Sequence, residues 1–107
     1  MKRQRSVKSI KVISNLDNAN ELFDILASLK KRDEAKLFIH DLCTPKEIQS
    51  LVDRWKVARL ISEGMSYREI AQLTGVSTAT ITRVGRAIQS GSGYRRALAK
   101  NSGRGVK

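Results

Sequence analysis

The sequence predicts an all-α protein of about six helices, organised around a helix-turn-helix. Three observations carry that expectation. Apolar residues recur at three- and four-residue steps, the spacing of one helix face. Two capping boxes, Thr44-Pro45-Lys46-Glu47 and Ser66-Tyr67-Arg68-Glu69, mark helix starts. No stretch alternates with strand period, and Pro occurs once. At 107 residues and 40% hydrophobic content the chain is sized for one domain with a core.

The elements follow in order. Residues 1–15 are basic and polar and read as a flexible arm. The periodic signal begins near Leu16, where Leu16, Ala19, Leu22, Phe23, Leu26 and Leu29 share a helix face. Asp17, Asn20, Glu21 and Asp24 fall largely opposite. Lys30, Lys31 and Arg32 suit the negative end of that helix. Asp33 is placed to cap a second short helix carrying Ala35, Leu37, Phe38, Ile39 and Leu42. Thr44 then caps a third, with Pro45 at its first position and Ile48, Leu51, Val52, Trp55, Ala58 and Ile61 along it. Gly64 stops it. Ser66 caps a fourth helix through Leu73, and Thr74-Gly75 breaks the chain. Ser77 caps a longer helix through about Gln89. Ser90-Gly91-Ser92-Gly93 is a flexible joint, and Tyr94, Ala97 and Leu98 suit a last short helix. The globular domain is expected over 16–100, with 101–107 a disordered tail.

The charge is distributed unevenly. The chain carries 21 Lys and Arg against 10 Asp and Glu, a formal +11. Residues 1–16 hold five basic and no acidic side chains, 17–69 are nearly balanced, and 70–107 hold seven basic and none acidic. An acid-free basic half is the footprint of a polyanionic partner. One Cys, Cys43, and one His, His40, exclude an internal disulfide framework and a Cys/His zinc site. Both read as packing or surface residues. The sequence shows no Gly-rich phosphate loop and no Ser–His pairing, so an enzyme is not expected. No apolar run is long enough to span a membrane, and a cytoplasmic protein is the expectation.

Tyr67 to Arg86 has the layout of a helix-turn-helix. A small residue, Ala71, sits where two steeply crossed helices touch. Gly75 supplies the positive φ of the turn. Ile70, Val76, Ile81 and Val84 are the apolar plugs. With Ile81 and Val84 inward, the second helix presents Thr78, Ala79, Thr82, Arg83 and Arg86 outward. Its N-terminal end is the part that enters a major groove. Thr and Ala allow close approach and contact with a thymine methyl. The amides following Ser77 suit a phosphate. Arg68 can reach a guanine edge or a phosphate. Tyr67 either donates to a phosphate oxygen or packs against the preceding helix.

The runs Leu42-Cys43-Thr44-Pro45, Gly64-Met65-Ser66-Tyr67-Arg68-Glu69 and Ser77-Thr78-Ala79-Thr80-Ile81-Thr82-Arg83, together with Arg54, resemble the Trp repressor family. Asp41-Leu42-Cys43-Thr44, Glu47-Ile48-Gln49-Ser50-Leu51 and Ser77 to Ile81 are similar to its YerC/YecD-type branch. The likeness covers about Leu16 to Leu98. It implies an intertwined helical homodimer whose first, second, third and last helices share one core. Leu22, Phe23, Leu26, Leu51 and Trp55 are then candidates for packing between subunits, with Trp55 a core residue. The resemblance also implies a tryptophan corepressor pocket, to which Thr44, Arg54 and Arg83 correspond. Two positions depart. Val84 stands where the family has a Gly that leaves room for the indole, and Ala87 where it has a Ser. Gly85, one residue on, points about 100° away on a helix. The pocket Thr44, Arg54, Arg83, Val84 and Ala87 therefore reads as vestigial, and no cofactor is expected.

The implied function is a transcription regulator, a repressor by resemblance, reading a palindromic operator in double-stranded DNA through Arg68, Ser77, Thr78, Ala79, Thr82, Arg83 and Arg86. The alternative is a non-specific nucleic-acid-binding or protein-interaction module that uses the basic tails. The arm either tracks a minor groove or packs Val7, Ile10, Val12 and Ile13 on the dimer.

Overall fold

The computed structural model describes residues 15–105. They form six helices with no strand: α1 (Asn15–Ser28), α2 (Arg32–Leu42), α3 (Pro45–Ser62), α4 (Tyr67–Thr74), α5 (Thr78–Ser90) and α6 (Gly93–Gly105). The basic arm, with Val7, Ile10, Val12 and Ile13, lies outside the described residues. The chain divides into two compact units at the Leu42–Cys43 boundary.

In the first unit, α1 begins where the apolar period begins. α2 differs from expectation at its start. Asp33 lies inside its first turn, and it is the Glu34 carboxylate that accepts from the Lys30 amide, at 3.0 Å. A carboxylate in the first turn can reach back to the chain just ahead of the helix, where its charge also suits the positive helix end. α2 buries no residue fully. Leu37 is 70% exposed and Phe23 on α1 is 58% exposed.

The second unit is a packed head. α3 lies against α4, α5 and α6, α4 against α5, and α5 against α6. Its core is Val57 and Ala58 of α3, Ile70 of α4, and Ile81 and Val84 of α5. Each of the larger four contributes about 1.5–3 kcal/mol by leaving water. Trp55, Leu60, Ile61, Met65, Ala71, Val76, Ile88, Tyr94 and Leu98 pack around them half-buried. Val57 was not among the apolar residues expected along α3, while Leu51 and Val52, which were, are exposed in the single chain. α6 also runs through Gly105, past the expected boundary at Lys100, so the start of the expected disordered tail is helical.

The helix starts follow the capping logic. The Glu47 amide donates to Thr44 Oγ1 at 3.1 Å, and the Thr44 amide donates to the Glu47 carboxylate at 2.8 Å. Ser66 and Glu69 repeat the exchange at 3.1 and 3.0 Å. Each cap satisfies amides that would otherwise lack partners, worth about 1 kcal/mol.

Candidate nucleic-acid interface

Five links hold α4 and α5 as a helix-turn-helix. Gly75 adopts φ +76°, a left-handed conformation that side chains disfavour. Its amide closes α4 on the Ala71 carbonyl at 2.9 Å. Thr74 Oγ1 donates to the Ile70 carbonyl at 2.7 Å and accepts from the Val76 amide at 3.1 Å. Ser77 Oγ accepts from the Thr80 amide at 3.1 Å and donates to Thr80 Oγ1 at 3.0 Å. Below the turn, Ile70, Ile81 and Val84 are buried, and Val76 is half-buried.

The outward side of α5 is one continuous surface. Thr78, Ala79, Thr82, Arg83 and Arg86 line a single open hollow. Thr78, Ala79, Arg83 and Arg86 are exposed and Thr82 is half-buried. Small side chains occupy the first turn and guanidiniums the next two. Among the described residues no ion pair engages Arg68, Arg83 or Arg86, whereas Arg59 and Glu63 approach to 4.0 Å on α3. That leaves the cationic face without an internal counter-charge. Arg68 is exposed at the second position of α4, outside the hollow. Ser77 is exposed, but its hydroxyl is committed to the cap just described.

Three residues that bear on α5 take roles the sequence did not predict. Arg95 of α6 donates from Nε to the Gly91 carbonyl at 3.0 Å and from Nη2 to the same oxygen at 2.6 Å. It also reaches the Gln89 carbonyl at 3.4 Å. Its guanidinium thus caps the C-terminal end of α5, where carbonyls lack amide partners and the helix dipole is negative. The other two residues are Tyr67 and Gly85. The Tyr67 phenol lies across Gly85, so that a Cβ there would overlap its hydroxyl and stand 2.9 Å from Cζ. Tyr67 therefore reaches the second helix of the motif, a packing partner the sequence reading did not name. A Gly inside a helix, which costs about 1 kcal/mol against Ala, was the available signal.

Among the described residues, Arg54, Arg83 and Ala87 of the resembled ligand pocket line three different hollows. Arg54 lines a polar cleft of about 220 Å³ with Ser50, Asp53, Gly75, Val76, Ser77 and Thr80. Arg83 faces the open hollow on α5. Ala87 lines an apolar groove with Trp55, Gly91, Gly93, Tyr94 and Ala97. Thr44 is the cap of α3, and Val84 is only 2% exposed, inside the core. Among the described residues no group of His, Cys, Asp and Glu is arranged to hold a metal ion, and no helix is long and apolar enough to cross a membrane.

The family model for the Trp repressor protein matches residues 17–102, most of the chain. The chain belongs to the Trp repressor family. An uncharacterised Bacillus subtilis (strain 168) protein, YerC, is 48% identical over 73 residues, 68% of this chain and 70% of that one. A Trp operon repressor homologue of Vibrio atlanticus is 30% identical, across 77% of this chain and 85% of its own length. A crystal structure of a candidate Trp repressor from Staphylococcus aureus matches with a TM-score of 0.75 at 41% identity. The match covers 91% of this chain and 96% of that one. A Trp-repressor-like protein from Eubacterium eligens matches with a TM-score of 0.74 at 40% identity, over 87% and 95% of the two chains. The all-α helix-turn-helix fold is thus the family fold, and members of the Trp repressor family are regulators.

Proposed function

We propose that the protein is a sequence-specific DNA-binding transcription repressor, acting in the cytoplasm as a homodimer on a palindromic site in double-stranded DNA. The observation that carries the reading is the division of α5 into two faces. Ile81 and Val84 anchor one face in the core. Thr78, Ala79, Thr82, Arg83 and Arg86 are gathered on the other. In this reading Thr78, Ala79 and Thr82 contact base edges, Arg83 reads a base, and Arg86 grips phosphate. Arg68 joins from α4, and Ser77 presents the helix amides to phosphate. Two-fold symmetry places the half-sites about 34 Å apart or a multiple of it.

The homodimer accounts for apolar side chains that one chain leaves in water, Phe23, Leu37 and Leu51 among them. Operator binding without tryptophan is supported by the buried Val84 and by the separation of Arg54, Arg83 and Ala87 into different surfaces.

The test is selection of genomic fragments by the purified protein at near-physiological salt, with and without tryptophan. The expected result is a palindrome recovered under both conditions. Recovery only with tryptophan would overturn the corepressor-free reading. Uniform recovery of all fragments would overturn sequence specificity and leave binding to the basic tails.

A further inference from the structure

We propose that Tyr67 and Gly85 form a matched pair that sets how α5 rests on α4, making Tyr67 a positioning residue for the reading face. The inference rests on the DNA-reading role proposed above. Gly85 is buried within α5, next to Val84, and its backbone is helical. Nothing about its φ requires Gly. What requires it is space, because a Cβ would overlap the Tyr67 hydroxyl and crowd Cζ at 2.9 Å. The contact spans from the first residue of α4 to the middle of α5, with Arg83 and Arg86 two residues before and one residue after Gly85. These helices are also tied by the core of Ile70, Ile81 and Val84. That core holds the two helices together, while the phenol limits how far the exposed end of α4 can close on α5.

The pair makes a sign-reversing prediction. Ala is a better helix former than Gly, so Gly85→Ala should stabilise α5 wherever the site is open. With Tyr67 present it should instead lower the melting temperature of the full chain, by about 4–8 °C. In a Tyr67→Ala background the same change should raise it. The DNA arm uses the palindromic duplex selected by the wild-type protein and a shuffled duplex of equal composition. G85A should reduce discrimination between them by about tenfold, and the Y67A/G85A protein should match Y67A alone.

A G85A protein that fails to fold but is rescued by Y67A supports the pair equally. A higher melting temperature for G85A in both backgrounds overturns it. Reversal of the melting effect with discrimination unchanged by G85A overturns the positioning role, since the phenol has then swung away without moving the helix. A wild-type protein that prefers no duplex overturns the DNA reading, while the melting comparison still decides the pair.

Discussion

The two ends of this chain handle their apolar residues in opposite ways. In the head, α4 and α5 are short, yet Ile70, Ile81 and Val84 are almost wholly out of water and each helix start is capped by its own Ser. In α1 and α2 the helices are of similar length, yet Phe23, Ile25, Leu37 and Leu42 stand exposed and α2 buries nothing fully. Helix formation and core formation are therefore separable here. The head contains its own packing partners, whereas the first two helices leave apolar side chains exposed, which the proposed homodimer would cover. A short helix gains most of its stability from packing an apolar face, so the first unit should respond to dimerisation and the head should not.

Breaking the head should give the largest effect. Ile81→Ala removes a fully buried side chain and should cost about 2–5 kcal/mol, read as a lower urea midpoint. The loss should be nearly independent of protein concentration if the head folds on its own contacts. Next, Phe23→Ser should forfeit about 1.5–3 kcal/mol of burial per chain and show as a shift towards monomer in sedimentation. Its melting temperature should rise with protein concentration, as mass action requires. A concentration-independent loss would place Phe23 within one subunit's own core.

Arg83→Glu tests function without touching either core. It should weaken binding to the selected palindrome by at least the about 1–3 kcal/mol expected of a base-reading arginine, with the melting curve unchanged. Retained affinity, measured by fluorescence anisotropy, would remove Arg83 from the reading set. The smallest effect should come from Ser66→Ala, which deletes one half of a capping box and should cost about 1 kcal/mol. That loss should appear as faster amide exchange at the start of α4 and leave α1 and α2 unaffected.

What the sequence disclosed follows from the range of each signal. The caps at Thr44, Ser66 and Ser77 and the turn at Gly75 depend on residues within four positions of one another, and all were readable. Asp33 was misplaced because the helix starts one residue before it and it is the neighbouring Glu34 that reaches back to the Lys30 amide. The core face of α3 was harder. Leu51, Val52, Trp55, Val57, Ala58, Leu60 and Ile61 circle much of that helix, so periodicity cannot separate a face that packs on α4 and α5 from one left exposed. Val57 was missed for that reason. The outward face of α5 was legible once Ile81 and Val84 were assigned inward, because a helix has only one opposite side. The Tyr67–Gly85 contact links separate helices, and which side chain lies over Gly85 is not encoded by any local pattern. The extent of α6 was obscured by Gly103 and Gly105, which lower helix propensity without forbidding a helix.

The capping of α5 has a consequence for how such a protein can change. The groups that start, stop and seat this helix are Ser77, Thr80, Ile81, Val84, Gly85 and Arg95. None of Ala79, Thr82, Arg83 or Arg86 is needed for that work. Under the proposed DNA-reading role, substitutions at those four positions would alter which sequence is recognised while the scaffold stays intact. A lineage built on this head could acquire new targets by exchanging a few solvent-facing side chains, one at a time, without passing through unfolded intermediates.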